Sequence, residues 1–226
     1  LVYKQLFLKP HEEKRILQGE FWAYDNEIRG PFEDFAPGEV CRLCSSGGMV
    51  VATGYVNPLS TIAFRVLSYD PDVVIDREFL RRRIREADGQ RRALRPQNSY
   101  YRMVYGEADF LPGLVIDRFD DYFIVQITTA GMENFKEDIF ALLAEIHPGA
   151  VCIEKSLAPA REKEGLPLIN RVVTPGRSVE KDIEINALKF KVDFLKSQKT
   201  GFFLDQRDNY LLLSAISDGK EVLDAF

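Results

Sequence analysis

The chain has 226 residues, of which 46% are hydrophobic and 29% are charged, and its formal net charge is −5. This length accommodates two ordinary domains and the start of a third, and the composition excludes disordered and fibrous proteins. No apolar run approaches the roughly 20 residues that span a bilayer, and charges interrupt the amino-terminal segment. We therefore predict a cytoplasmic protein with neither a signal peptide nor a membrane-spanning helix.

The first 70 residues predict a small β domain. Residues 19–28 (GEFWAYDNEI) place aromatic side chains beside a polar turn. Residues 37–57 alternate apolar and polar positions on both sides of a Ser-Ser-Gly-Gly turn, and residues 62–70 (IAFRVLSYD) form a further alternating run. Alternation of this kind predicts antiparallel strands with one buried face.

The three cysteines raise the question of a metal or redox site. Cys41 and Cys44 form a C-x-x-C pair, and Cys152 leaves an odd count, which argues against a disulfide framework and for a reducing compartment. A zinc site needs a second pair of ligands, but His11 and His147 are isolated in the sequence. We interpret the cysteines as small apolar strand residues and predict no metal site.

Residues 77–90 predict an arginine-rich helix, with Phe79 and Ile84 on an apolar stripe and Gly89 as its end. The chain is acidic overall, but basic residues are concentrated around this segment, so the charge is segregated. Arginine binds phosphate oxygens in a bidentate manner. The candidate RNA contacts are therefore Arg81, Arg82, Arg83, Arg85, Arg91 and Arg92. The commoner alternative is the solvated face of an amphipathic helix.

The middle of the chain predicts an α+β arrangement. Residues 99–129 give three strands, separated by the breakers Pro112-Gly113 and Asp120-Asp121. Residues 134–150 form an amphipathic helix that ends at a Pro-Gly pair. A buried strand (VCIEKS) and a charged loop, residues 157–167, follow.

The last part of the chain predicts the entry to an α/β domain. Residues 179–194 form a hairpin with an Asn186-Ala187 turn, and it leads into the loop QKTGFFLDQRDN. A helix over residues 210–217 and a strand over residues 221–226 (EVLDAF) then follow. Ligands of open α/β sheets bind beyond the carboxyl ends of strands, so a nucleotide-type cofactor site is expected to begin here.

Two sequence blocks resemble one known family. KTGFFLDQRDN followed by VLDAF, and RMVYGEADFLPGLVIDRFDDYFIVQ, resemble the S-adenosylmethionine-dependent class I rRNA methyltransferases with an N-terminal PUA domain, the large-subunit cytosine-5 group. The layout of the first 70 residues is similar to that of the PUA domain of this family. Met103 and Tyr105 depart from the front of the second block, and Phe110 stands where the family usually has a small turn residue such as glycine.

The resemblance implies a mixed α/β fold in three parts. These are an N-terminal PUA-like RNA-binding β-barrel over residues 1–70, a noncatalytic central α+β domain over residues 71–180, and a third part over residues 181–226. The third part would hold a hairpin, a linker and the first strand of a Rossmann-like methyltransferase domain. The implied activity is methyl transfer from S-adenosyl-L-methionine to a base of large-subunit rRNA, most simply C5 of a cytosine.

The resemblance also assigns roles to residues. The expected cofactor contacts are Lys199, Thr200, Phe202, Asp205, Gln206, Arg207 and Asp224. Charged side chains suit the amino-acid end of the cofactor, and the phenylalanines suit its adenosine or thioether. The alternative is an exposed turn that Asp205 or Asp208 caps. The family's cysteine nucleophile is expected beyond residue 226, so no catalytic residue is assigned and this chain alone is expected to be inactive.

Two other functions stay open from the sequence. The chain fits a free-standing RNA-binding or assembly module without catalytic activity. It also fits a methyltransferase of the same architecture that acts on a guanine or on tRNA. The oligomeric state, with a homodimer as a candidate, and the nature of the end at residue 226 are left open as well.

Overall fold

The computed structural model describes residues 2–94, 99–223 and 225. The described residues form two five-stranded sheets, a two-stranded hairpin and six α-helices. This arrangement is mixed α/β, as expected from the sequence. No helix within the described ranges has the length and apolarity that crossing a bilayer demands.

The first sheet contains the five strands of the amino-terminal third. In chain order these are β1 (Lys4–Phe7), β2 (Trp22–Ala23), β3 (Glu39–Cys44), β4 (Val50–Val56) and β5 (Phe64–Ser68), with helix α1 (Glu13–Leu17) between β1 and β2. Their order in space is β1-β3-β4-β5-β2, and only the β1–β3 pair is parallel. The alternating strands predicted around the Ser-Ser-Gly-Gly turn are confirmed as β3 and β4.

The cysteines are buried, as predicted. Cys41 and Cys44 lie on β3 with free thiols inside the core of the first sheet, and Cys152 is also free and buried. Burial raises the pKa of all three thiols, that of Cys152 to about 11. Because the thiolate is the reactive form, these cysteines are held in an unreactive state at neutral pH.

The second sheet has helices on one face and the hairpin on the other. Its strands are β6 (Tyr100–Tyr105), β7 (Leu114–Phe119), β8 (Tyr122–Ile127), β9 (Val151–Ser156) and β10 (Ile169–Val172), in the spatial order β10-β9-β8-β7-β6. The helices are α2 (Arg77–Leu94), α3 (Ala130–Asn134), α4 (Lys136–Ile146) and α5 (Ala160–Lys163). On β8, Phe123 and Val125 pack in the cluster with α2 and α4, and Ile124 packs in the cluster with the hairpin. This alternation follows from the period-two geometry of a strand.

Helix α2 is longer than the sequence predicted. Asp76 caps it by accepting a hydrogen bond (2.8 Å) from the backbone N–H of Phe79, and the helix continues through Gly89 to Leu94. The prediction that Gly89 ends the helix is therefore wrong. Glycine disfavours a helix interior by only about 1 kcal/mol, and burial of Phe79 and Ile84 outweighs that cost.

The predicted charged loop at residues 157–167 is wrong in part, because Ala160–Lys163 form a short helix. It contains helix α5, and Arg161 and Glu164 are almost completely buried. Their charges are paired: Arg161 lies 2.8 Å from Glu133, and Glu164 lies 2.9 Å from Arg65. Mutual pairing permits this burial, which composition alone argues against.

The carboxyl-terminal part begins with the hairpin of β11 (Glu180–Ile185) and β12 (Leu188–Asp193). The predicted Asn186-Ala187 turn is confirmed, since both residues have the positive φ angles (55° and 64°) of a tight hairpin turn. A 3₁₀ turn (Leu204–Gln206) and helix α6 (Arg207–Ser217) follow. Residues 221–223 do not form the predicted strand, and Asp224 lies outside the described residues.

The two five-stranded sheets are joined by buried contacts. The Tyr55 hydroxyl on β4 donates to the Pro112 carbonyl (2.6 Å) and lies 2.9 Å from the Thr129 hydroxyl. Gly131 lies directly against the Tyr55 ring, where an added Cβ would meet ring atoms at 2.2–2.4 Å. The amino-terminal sheet is therefore fixed onto α3 by a contact that only glycine permits.

We predict that Gly131→Ala lowers the free energy of unfolding by about 3 kcal/mol, because the buried Tyr55 ring has no space to move. Urea denaturation measures the change. The matched control is Gly89→Ala, where an added Cβ meets nothing within 4 Å. This control is expected to raise the free energy of unfolding by about 1 kcal/mol, because alanine favours the helix. Equal stability of the Gly131→Ala variant and the unsubstituted protein would contradict the predicted clash.

Candidate functional site

A cleft of about 490 Å³ lies between the end of α2, strand β6 and the loop that follows the hairpin. The loop contributes five of the residues predicted from the sequence, and these are Lys199, Thr200, Phe202, Asp205 and Arg207. Arg91 of the predicted RNA contacts lines the same cleft from α2. Residues from two separate predictions therefore lie around one cavity.

One described residue of the predicted cofactor set, Gln206, does not line the cleft. Gln206 is exposed in the 3₁₀ turn, and its amide nitrogen lies 3.4 Å from the Asp205 carboxylate. Gln206 is absent from the described lining of the cavity. Asp224 lies outside the described residues.

The loop turns sharply where it enters the cleft. Lys199 and Gly201 both have positive φ angles, 49° and 124°. A Cβ at Gly201 would meet the buried Phe194 ring at 2.7 Å, so this position requires glycine for both conformation and space. The turn buries Thr200, which is 3% exposed, and leaves Lys199 at the surface.

A buried carboxylate joins the two walls of the cleft. Asp117 on β7 is 1% exposed, and it accepts two hydrogen bonds from the Arg102 guanidinium, at 2.9 Å and 3.0 Å. The Thr200 hydroxyl donates to the same carboxylate. The Asp117 hydrogen bonds raise the pKa of Arg102, and that side chain stays charged. Arg102 on β6 and the loop are therefore held by one group.

Asp117 is not among the site residues predicted from the sequence. A signal was present, since an aspartate interrupts the apolar strand LVIDRF at a position where a buried charge must find a partner. Local patterns predict that a partner exists, but they do not name it. The partners are residues 15 positions before and 83 positions after Asp117 in the chain.

Cations and aromatic rings alternate along the cleft. The Arg102 guanidinium lies 5.1 Å from the Tyr105 ring centroid, and the Lys199 ammonium lies 4.5 Å from that of Phe203. Phe202 packs on Phe190 of the hairpin with ring centroids 5.0 Å apart. Such pairs present positive charge beside flat apolar surface, which suits ligands that are both anionic and aromatic.

The predicted RNA-contacting arginines divide into two groups. Three are half-buried and held by contacts inside the protein. Arg81 lies 2.9 Å from Glu145, Arg91 donates to Asp109 at 2.8 Å, and Arg83 lies over the Phe110 ring at 4.6 Å. The other three are exposed, and these are Arg82, Arg85 and Arg92.

The contacts of the Phe110 ring explain how phenylalanine is accommodated at a position whose backbone conformation favours glycine. Its φ angle of 55° lies in the left-handed region, which glycine adopts most easily. The Phe110 ring packs against Phe21 at 5.2 Å and Tyr69 at 6.0 Å. These contacts connect the first sheet to the central part of the chain and offset a conformational cost of about 1 kcal/mol.

Comparisons with known proteins agree with this architecture. Residues 6–69 match the family model of a PUA-like domain. The chain is 34% identical over 224 residues to "Ribosomal RNA large subunit methyltransferase I" of Shewanella amazonensis, across 97% of this chain and 56% of the relative. It is 33% identical over 227 residues to the protein of the same name from Tolumonas auensis, across 98% of this chain and 57% of the relative. The chain thus spans a little over half the length of these relatives.

Solved structures share the fold. A putative SAM-dependent methyltransferase from Streptococcus mutans superposes with a TM-score of 0.75 and 17% identity, over 93% of this chain and 54% of that chain. A putative methyltransferase solved in complex with SAH superposes with a TM-score of 0.73 and 15% identity, over 92% of this chain and 52% of that one. At this level of identity the likeness establishes the fold and no more.

Proposed function

We propose that this chain, which is homologous to ribosomal RNA large subunit methyltransferase I, is the RNA-recognition part of an S-adenosylmethionine-dependent methyltransferase. The proposed substrate is a base of large-subunit rRNA, with C5 of a cytosine as the specific target. The observation that carries the proposal is the 34% identity along 97% of the chain. The convergence of the loop and the arginine helix on one cleft supports it.

We further propose that three segments of the chain have different roles. Residues 1–70 bind RNA as a PUA-like domain, residues 71–180 form the central domain, and residues 181–226 begin the catalytic part. The match of residues 6–69 to a PUA-like domain supports the first assignment. The second sheet with its helices lies within the second range, and the hairpin begins at Glu180.

The loop wall of the cleft has the chemistry that S-adenosylmethionine needs. Asp205 supplies a carboxylate for the cofactor's ammonium or ribose hydroxyls, Lys199 and Arg207 supply cations for its carboxylate, and Phe202 supplies a flat apolar surface. These residues would hold the cofactor, which supplies the methyl group for transfer. Gln206 and Asp224 stay in the proposal as further contacts.

Helix α6 favours an enzyme over a free-standing RNA-binding module. Its side chains Leu211, Leu212, Leu213 and Ile216 are exposed by 52%, 68%, 50% and 65%. Several large apolar side chains exposed on one short helix mark a contact surface in soluble proteins. We propose that residues of the additional length found in the relatives cover α6 in the longer protein.

The RNA-binding part of the proposal gives a quantitative prediction. The triple variant Arg82→Ala, Arg85→Ala, Arg92→Ala is expected to bind an rRNA fragment more weakly and with a flatter salt dependence. If each arginine contacts a phosphate, the slope of log K against log [salt] falls by about 2 to 3 units. Binding titrations at several salt concentrations measure it. Arg81, Arg83 and Arg91 are avoided because they are half-buried, and the loss of their packing would confuse binding with folding.

A charge-matched control separates specific contacts from net charge. The triple variant Lys163→Ala, Lys189→Ala, Lys220→Ala removes the same charge from exposed positions elsewhere. It is expected to change the affinity and the slope much less. Equal effects of the two triple variants would mean that the exposed arginines of α2 form an ordinary solvated helix face and make no specific RNA contacts.

The enzymatic part is tested in cells. Deleting the gene is expected to remove one methyl group from large-subunit rRNA, as measured by mass spectrometry of nuclease digests. The unsubstituted gene should restore the methyl group, whereas the gene with Asp205→Ala should not. An rRNA methylation pattern that is unchanged by the deletion would refute the proposed activity.

A further inference from the structure

We propose that Tyr105 is the stacking platform for an unpaired nucleotide of RNA, at the point where the cleft meets a second cavity. This inference rests on the proposed function, because it specifies how a substrate RNA strand approaches the loop. The ligand class is single-stranded RNA. The strand is inferred to run from the edge of the first sheet, past Tyr105, towards Lys199.

Tyr105 stands between two cavities. It ends strand β6, its side chain is 56% exposed, and it lines both the cleft of about 490 Å³ and a neighbouring cavity of about 210 Å³. The smaller cavity lies beside Arg65 of β5 and Glu164 of the α5 segment. The two cavities therefore meet at Tyr105, one beside the PUA-like part and the other at the loop.

Tyr105 makes defined contacts through its backbone and its ring although it is exposed. The Tyr105 backbone N–H donates to the buried Asp109 carboxylate at 2.6 Å. The Arg102 guanidinium lies 5.1 Å from the ring centroid, and Asp117 fixes that guanidinium through two hydrogen bonds. An aromatic surface that is ordered before binding loses little entropy when a base stacks on it.

Pairs of a cation and an aromatic ring recur along the inferred course of the strand. The Arg102 guanidinium lies over the Tyr105 ring. Lys199 lies over the Phe203 ring at the loop. Proteins hold single-stranded nucleic acid by this combination, in which cations contact phosphates and rings stack on bases.

The charge of the cleft favours a nucleotide over the cofactor at this wall. Among the described lining residues, the side chains of Arg91, Arg102, Lys199 and Arg207 are cationic, and only those of Asp205 and Asp208 are acidic. S-adenosylmethionine carries a positive sulfonium, so Arg91 and Arg102 on the α2 and β6 side do not suit it, whereas Lys199 and Arg207 lie on the loop beside Asp205 and Asp208. The acidic groups lie on the loop side, and the β6 side is left for an anionic strand.

The site suits unpaired rather than paired RNA. Bases in a duplex are stacked on each other, and their faces cannot reach a ring that lies in a cleft. An unpaired base can turn outward and lie on Tyr105 while its phosphates meet the neighbouring cations. A stacking contact of this kind is tolerant of sequence, so Tyr105 is inferred to set the path of the strand and not the identity of the base.

The test uses the 226-residue chain and an unstructured RNA of about ten nucleotides that carries one 2-aminopurine, whose fluorescence falls on stacking. Tyr105→Ala is expected to weaken binding about tenfold and to remove the fluorescence loss. The salt slope should not change, because no charge is removed. Tyr105→Phe keeps the ring and is expected to stay within about twofold of the unsubstituted chain.

Leu168→Ala is the surface control. Leu168 is 45% exposed and directly precedes β10, at the opposite edge of the second sheet from β6. This variant should leave affinity and fluorescence unchanged. Thermal unfolding of each variant by circular dichroism confirms that the fold is kept.

The outcomes separate this inference from the proposed function. If Tyr105→Ala binds the RNA with unchanged affinity and fluorescence while the Arg82, Arg85 and Arg92 triple variant binds weakly, RNA recognition stands and the stacking site is wrong. If a duplex of the same sequence binds as tightly as the single strand, the preference for unpaired RNA is wrong. If the unsubstituted chain binds neither this RNA nor an rRNA fragment, the proposed function fails and the inference fails with it.

Discussion

Replacing Glu164 with alanine is expected to lower the free energy of unfolding by about 4 kcal/mol, the largest effect of any single substitution considered for this chain. Glu164 is 3% exposed and accepts hydrogen bonds from Asn57 (2.8 Å), Ser60 (2.8 Å) and Arg65 (2.9 Å). The backbone N–H of Ala130 donates to it at 3.3 Å. Alanine would leave these donors and the Arg65 charge without their acceptor in a buried region.

Two further variants serve as comparisons for Glu164→Ala. Glu162→Ala removes a carboxylate from an exposed position two residues away and should change stability by less than about 0.5 kcal/mol. Glu164→Gln keeps the shape and one acceptor oxygen, so its loss of stability should be intermediate. Urea denaturation compares the three. If Glu162→Ala and Glu164→Ala were equally harmful, the buried network would not be the cause.

The Glu164 contribution is also expected to depend on pH. Burial by itself raises the pKa of Glu164, but the hydrogen bond from Asn57 and the charge of Arg65 together lower it below the ordinary value of 4.5. A lowered pKa means that the ionised form stabilises the fold above the unfolded pKa, and that this stability is lost as pH falls through the folded pKa. The stability difference between the unsubstituted chain and Glu164→Gln should therefore be full at pH 7 and shrink at pH values below 4.5.

The second large effect is expected at the cleft. Asp117→Ala should lower the free energy of unfolding by about 3 kcal/mol, because the Arg102 charge and the buried Thr200 hydroxyl both lose their partner. It should also release the loop, so amide hydrogen exchange over residues 199–208 should become faster than in the second sheet. Mass spectrometry of peptic fragments measures this exchange.

Variants of Thr200 isolate the loop contact from the Arg102 contact. Thr200→Val keeps the shape of the side chain and removes the hydroxyl, whereas Thr200→Ser keeps the hydroxyl. Thr200→Val is expected to increase exchange in the loop, and Thr200→Ser is expected to preserve protection. A double-mutant cycle of Asp117→Ala and Thr200→Val should give a coupling energy of about 1–2 kcal/mol. A coupling energy near zero would mean that Asp117 does not hold the loop.

Local sequence patterns predicted most elements of the fold. The strands around the Ser-Ser-Gly-Gly turn and the Asn186-Ala187 hairpin depend on neighbours within a few residues, and turn chemistry signals them directly. Helix α2 was extended beyond Gly89 because tertiary packing of its apolar stripe overrode the local preference. The predicted strand at residues 221–226 failed at residues 221–223, which have no described strand beside them.

The candidate site was predictable only where a continuous motif carries it. Lys199, Thr200 and Asp205 belong to one loop, and the family resemblance identified that loop as a whole. Asp117 and Tyr105 gain their roles from contacts with distant parts of the chain. Glu164, which sequence composition suggests is exposed, is buried by partners 99 to 107 positions away. The hydrophobic periodicity of a short sequence segment carries no information about pairings between residues so far apart in the chain.

The shared carboxylate of Asp117 makes the two walls of the cleft thermodynamically linked. Arg102 donates a hydrogen bond to this carboxylate from one wall, and Thr200 donates one from the other wall. A ligand that draws Arg102 away alters the free energy with which the loop is held, and a ligand that orders the loop alters the state of Arg102. Linkage requires that these two effects be equal in magnitude. Any change in affinity that binding at one wall causes at the other is therefore matched by an equal factor in the reverse direction, and it requires no movement of domains.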